Sequence, residues 1–118
     1  MDARIIISLM FLCTSCAVIK EEPVYTDELK YAVSYCLSKA YSDSVFSKDA
    51  AYVSGAYLQK GKYGLNVYES IREFVDLYRQ EAYNSKHNRN LAVMQCVDLS
   101  TSSELRMQLR KMINGSAT

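Results

Sequence analysis

The sequence predicts an all-α protein, a single-domain bundle of about five helices behind a cleaved signal peptide. Three observations carry that expectation. Apolar residues recur at intervals of three and four in segment after segment, which is the period of a helix with one buried face. No segment alternates apolar and polar residues as a half-buried strand does. The 118 residues include one proline and four glycines, so few breakers interrupt long helices.

Residues 1–17 read as a leader. Arg4 precedes Ile5, Ile6, Ile7, Ser8, Leu9, Met10, Phe11 and Leu12, and the small residues Thr14, Ser15, Cys16 and Ala17 follow. Charge, apolar run and small-residue exit form the pattern of a secretory signal, with cleavage expected after Ala17. The apolar run falls short of the about 20 residues that cross a bilayer as a helix. A buried N-terminal helix is the rival reading. Lipidation of Cys16 is a second rival, although Cys13 stands where an aliphatic residue is expected. Residues 18–118 then form the mature domain, which meets a membrane only if Cys16 is lipidated.

The mature chain opens irregularly through Lys20, Glu21, Glu22 and Pro23. Thr26 is the expected N-cap of the first helix, with Asp27 and Glu28 in its positive first turn. Leu29, Ala32, Val33, Cys36, Leu37 and Ala40 trace one stripe, which points Cys36 inward. Ser42, Asp43 and Ser44 break the pattern. Ser47 is the expected cap of a second helix running to Lys60 and stopped by Gly61. Its inner face carries Ala50, Val53, Ser54, Tyr57 and Leu58. Gly55, inside this helix, predicts tight packing against a neighbour, together with Ala51 and Ala56.

Gly61, Lys62, Tyr63 and Gly64 form a turn. A third helix is expected over 65–83, with Leu65, Tyr68, Ile71, Val75, Tyr78 and Ala82 on its inner stripe, Phe74 beside them, and Glu69, Arg72, Glu73 and Asp76 outside. The stretch Asn84, Ser85, Lys86, His87, Asn88, Arg89 and Asn90 is too polar to bury a helical face and reads as an exposed loop. Asn90 caps a fourth helix, 91–99. Thr101 and Glu104 suit a capping box that opens a fifth helix through Leu105, Leu109, Met112 and Ile113. Residues 114–118 read as a frayed tail.

Export changes the meaning of the cysteines. Cys13 and Cys16 fall in the leader, which leaves Cys36 and Cys96, an even number in an oxidising compartment. One disulfide is the expectation; two separate buried thiols are the alternative. The chemistry of an enzyme is hard to assemble from what remains. The one histidine, His87, is distant in sequence from both mature cysteines, and a Cys–His pair needs a free thiol within hydrogen-bond reach. No metal-ligand spacing, phosphate-binding loop or other cofactor motif is present. Glu69, Glu73 and Asp76 read as a solvated face. The net charge of +1 gives no footprint for nucleic acid.

Two features point to binding another protein. Tyr52, Tyr57, Tyr63, Tyr68, Tyr78 and Tyr83 recur through the second and third helices. Core packing is the plain explanation, and an interface is the other, because tyrosine is enriched among binding hot spots. The loop 84–90 is either a solvated connection or a recognition loop on a rigid scaffold.

The segments "SYCLSKAY" around Cys36, "SGAYLQKGKY" (54–63), the tyrosine-bearing helix ending at Tyr83, and above all "LAVMQCVDLSTSSEL" (91–105) are similar to those of a known family. They resemble the immunity proteins that neutralise the fourth class of peptidoglycan amidase delivered by the type VI secretion system. The likeness spans about residues 27–113. It implies an all-α periplasmic homodimer that performs no catalysis and needs no cofactor. It implies a cognate effector, a papain-like cysteine amidase, whose catalytic cleft is occluded by a protruding loop of one subunit while a helix of the other adds contact. Polarity and position make 84–90 the expected loop, and Lys60–Gly64 is the rival. "DLSTSS" departs from the family in lacking an aromatic after Asp98 and Leu99, which leaves the exit of the fourth helix open. A periplasmic helical adaptor is the alternative from another class, and a small hydrolase is a third.

Overall fold

The computed structural model describes residues 25–81, 83 and 90–116. Five helices follow one another: α1 (Thr26–Ala40), α2 (Val45–Lys60), α3 (Leu65–Arg79), α4 (Ala92–Leu99) and α5 (Ser103–Ser116). No strand occurs among the described residues. The fold is all-α, as the apolar periodicity predicts. The leader and residues 84–89 lie outside the described residues.

The first helix is the hub. It packs along α2 on one side and against α4 and α3 on others, while α5 packs on α3. Tyr31, Ala32 and Cys36 of α1 meet Val67, Tyr68, Ile71 and Val75 of α3, Cys96 and Leu99 of α4, and Leu105 and Leu109 of α5 in one buried cluster. Full burial of such aliphatic side chains contributes about 1.5–3 kcal/mol each. The second helix supplies none of that cluster. It lies on α1 through the buried small residues Ser47, Ala50 and Ser54, with Tyr57 and Leu58 half-buried at the edge of the core.

Cys36 and Cys96 form a disulfide across 60 residues, which ties α1 to α4. The expectation of paired rather than separate thiols is met. Among the described residues, no buried side-chain nitrogen or oxygen lacks a hydrogen-bond partner.

Helix ends differ in detail from those expected. Tyr25, not Thr26, holds the cap position of α1, and no side chain caps it. Helix α2 begins two residues before Ser47, because Ser44 is its N-cap and Ser47 completes a reciprocal capping box from the third position. Asp43 turns the chain into that cap with a φ of 50°, in the left-handed region that a short polar side chain tolerates. The regular part of α3 stops at Arg79. Ser102 accepts from the Leu105 amide at the start of α5, while Thr101 donates back to the Asp98 carbonyl. The expected frayed tail is helical as far as Ser116.

Two packing expectations fail. Gly55 faces open space, since a Cβ placed there meets nothing within 4 Å. Leu65 is 68% exposed, and Val67 is buried in its stead. At about 100° per residue Leu65 falls roughly a third of a turn from the centre of the Val67, Tyr68, Ile71 and Val75 stripe.

Candidate functional site

Of the predicted recognition loop, Asn84, Ser85, Lys86, His87, Asn88 and Arg89 lie outside the described residues. Asn90 is described and exposed. Its side-chain oxygen accepts the Ala92 amide at 3.0 Å, which satisfies one of the orphan donors at the start of α4. The predicted capping role of Asn90 is thus met in substance, although Leu91 occupies the formal cap position.

The two ends of this connection are built from α3 and α4. Gln95, on the inner face of α4, donates from Nε2 to the carbonyl oxygens of Tyr78 at 2.9 Å and Glu81 at 2.8 Å. The Tyr78 and Tyr83 hydroxyls are 2.8 Å apart, and the Tyr83 hydroxyl donates to Oδ2 of Asp98 at 3.0 Å. Tyr83 has one phenolic proton and gives it to the carboxylate, so Tyr78 donates to Tyr83. Paired with the Tyr78 hydroxyl, partly buried and facing the Asp98 carboxylate that accepts its proton, the Tyr83 phenol is held well above its ordinary value of 10.0. Tyr83 therefore keeps its proton at physiological pH. Arg79 completes the stem by donating to the Lys39 carbonyl at the end of α1. Arg79, Glu81, Tyr83, Asn90, Leu91 and Gln95 line a polar groove of about 240 Å³, together with Ala40 and Ala92.

Next to this stem, the outer face of α4 shows Val93, Met94 and Val97 to solvent, at 39%, 55% and 54% exposure. Spacings of one, three and four put them on one side of a helix whose other side buries Gln95, Cys96 and Leu99.

The rival turn, Lys60–Gly64, is a bend between α2 and α3. Lys60 and Lys30 each place an ammonium within 6 Å of the Tyr57 ring, at 5.9 and 5.7 Å. Lys62 is exposed and Tyr63 half-buried. Gly61 lies against Tyr68 so closely that a Cβ would fall 1.5 Å from its hydroxyl. This turn is fixed to the core.

The tyrosines divide between the two predicted roles. Tyr68 is core, at 2% exposure, and Tyr52 is 80% exposed on the far side of α2. Tyr57, Tyr63, Tyr78 and Tyr83 are half-buried. Glu69, Arg72, Glu73 and Asp76 face solvent, and Asp76 accepts from the Tyr35 hydroxyl at 3.0 Å. Both described cysteines are consumed by the disulfide, so no thiol nucleophile is found among the described residues. No cluster of His, Cys, Asp and Glu among them could hold a metal ion. No helix among them is long and apolar enough to cross a membrane. What the arrangement can do is present a shaped polar and apolar surface.

Gln95 is the residue that reading the sequence missed. A faint signal was present: in Ala92–Leu99 it is an uncharged polar residue on the buried stripe, beside a cysteine.

Comparisons with known proteins bear on what that surface meets. A chain from the structure of the Tae4/Tai4 effector–immunity system of Salmonella typhimurium superimposes with a TM-score of 0.65 and 30% identity, covering 75% of this chain and 88% of that one. A chain from a study of type VI-secreted toxins and self-resistance proteins in Serratia marcescens gives a TM-score of 0.66 and 26% identity, covering 84% of this chain and 82% of that one. No curated protein matches in sequence. The family described as type VI secretion system amidase immunity protein matches residues 29–109, which include all of α2, α3 and α4 and both bridged cysteines. The chain belongs to the type VI secretion system amidase immunity protein family.

Proposed function

We propose that this protein is a periplasmic immunity protein, non-catalytic, that binds a cognate peptidoglycan amidase effector and occludes its catalytic cleft. The family match over residues 29–109 carries the reading. The Salmonella relative supports it, since its structure is that of an effector–immunity system. In this reading residues 1–17 are the leader that directs export, residues 18–118 are the mature domain, and the disulfide forms in the oxidising periplasm.

The physical logic is simple. An enzyme that works in a cleft is silenced by whatever fills the cleft and excludes substrate. The inhibitor supplies shape and charge, and no bond is made or broken. A papain-like cysteine amidase fits this mode because its nucleophile must stay accessible. The effector-binding segment is 84–90, with Lys86 and Arg89 supplying charge that speeds association with an acidic groove. A homodimer would let a helix of the second subunit add contact.

Two experiments test this. Co-expression in the periplasm with candidate amidases is expected to rescue cells from lysis; lysis with every amidase of the class refutes the function. Replacing Lys86, His87 and Arg89 together by alanine is expected to weaken amidase binding by about tenfold or more, about 1.4 kcal/mol, with the helical circular dichroism unchanged. Unaltered affinity moves the site to the Lys60–Gly64 turn.

A further inference from the structure

The last turn of α3 has an uncommon arrangement. A helix ends with carbonyls that its own backbone cannot satisfy. A glycine or asparagine just beyond the end often resolves this. Here the residues beyond Arg79 are Gln80 and Glu81. The Tyr78 carbonyl accepts from the Glu81 amide at 3.2 Å and from Gln95 at 2.9 Å. The Glu81 carbonyl accepts the second proton of the same Gln95 amide group. One side chain from another helix therefore bridges two carbonyls three residues apart where the chain leaves α3. Gln95 is 7% exposed and neighbours Cys96, whose bond to Cys36 fixes α4 on α1. Two residues along the chain from Cys96, Asp98 receives the Tyr83 hydroxyl. The chain is thus held at Tyr78, Glu81 and Tyr83 as it leaves α3 and at Asn90 as it enters α4.

We propose that Gln95, assisted by Tyr83, is a positioning residue for effector binding: it clamps the end of α3 to α4 and so limits the freedom that must be lost when the surface carried by this stem docks on the amidase. The proposal rests on the reading of 84–90 as the effector-binding segment. Pre-ordering raises affinity by reducing the entropy lost on association, without a new contact. A glutamine suits this task better than lysine or arginine, because its two donors are neutral and can be buried against carbonyls with little desolvation penalty.

Gln95→Met keeps the length of the side chain and removes both donors. In the free protein, amide exchange at Gln80 and Glu81, whose N–H groups donate to Leu77 and Tyr78, is expected to accelerate about tenfold or more, while exchange at the core amide of Ile71 is unchanged. Equal acceleration at all three would make Gln95 an ordinary stabilising residue and overturn the proposal, and so would no acceleration at any. Against the cognate amidase, Gln95→Met is expected to weaken binding about tenfold. Added to the triple alanine variant of Lys86, His87 and Arg89, it should produce no further loss, because both act through one element. Full additivity overturns the proposal. Tyr83→Phe, which loses one hydroxyl, is expected to shift the same readouts in the same direction by a smaller factor and serves if Gln95→Met does not fold. The exchange measurement needs no amidase, whereas wild-type affinity in the triple variant alone sinks the 84–90 reading. The two failures therefore come from different samples.

Discussion

Two residues of α1, Glu28 and Tyr31, meet Gly61 and Tyr68 beneath the turn between α2 and α3. The Tyr68 ring packs edge-on to Tyr31, with centroids 5.1 Å apart. Its hydroxyl donates to Oε1 of Glu28 at 3.4 Å, and Gly61 backs onto that Tyr68 hydroxyl. The phenol lets a buried carboxylate keep a partner, and the glycine leaves room for the phenol. Burial first, and the Glu28 carboxylate next, push the Tyr68 pKa up from 10.0 to about 12. In the unfolded chain the proton leaves near the ordinary value; in the folded chain it stays until about 12. Between those two values the unfolded state binds fewer protons than the native one, so stability that is complete below pH 10 declines as pH rises. Tyr68→Phe removes this contribution. Urea unfolding as a function of alkaline pH is expected to show a shallower decline in the variant than in the parent, and parallel slopes would contradict the assignment.

At the scale of elements, the bridge between α1 and α4 is the largest single constraint. Replacing both Cys36 and Cys96 by serine is expected to lower unfolding free energy by about 4 kcal/mol on the loop-entropy account, read from urea melts of the exported protein. A change within experimental error would mean that the reduced chain retains the same restriction. The stripes of α1 and α3 were legible in sequence because Ala32, Cys36, Tyr68, Ile71 and Val75 repeat at helical spacing and nothing polar interrupts them. The caps were legible only to within a few residues. Ser42, Ser44 and Ser47 offer three similar oxygens around the start of α2, as do Thr101, Ser102 and Ser103 around the start of α5. Which of them meets an amide is settled by backbone dihedrals that composition does not encode. Gly55 misled for a related reason: a small residue within a helix signals close packing only where a neighbour exists, and the neighbour is a tertiary fact. The clamp at Gln95 was hidden for the same cause, since its partners at Tyr78 and Glu81 lie 17 and 14 residues away. Of the candidate site, polarity alone marked 84–90 and Asn90, whereas the stem that carries it depends on how α3 and α4 meet.

For the molecule as a whole, the two-subunit mode of inhibition makes a prediction about size. Light scattering of the mature protein is expected to give the mass of a dimer at micromolar concentration, and a monomer would remove the second subunit from the mechanism. The monomer's own design has a further consequence. Four helices share the buried cluster, and the disulfide joins two of those four, while α2 leans on α1 through Ser47, Ala50 and Ser54 without entering the cluster. Such a layer can come away while the cross-linked frame endures. Heating should therefore release enthalpy demand in two instalments, with a shoulder below the main endotherm that a single cooperative melt would lack. Calorimetry would then report two midpoints from one small domain, the lower one belonging to the layer that reaches the core only at its edge, through Tyr57 and Leu58.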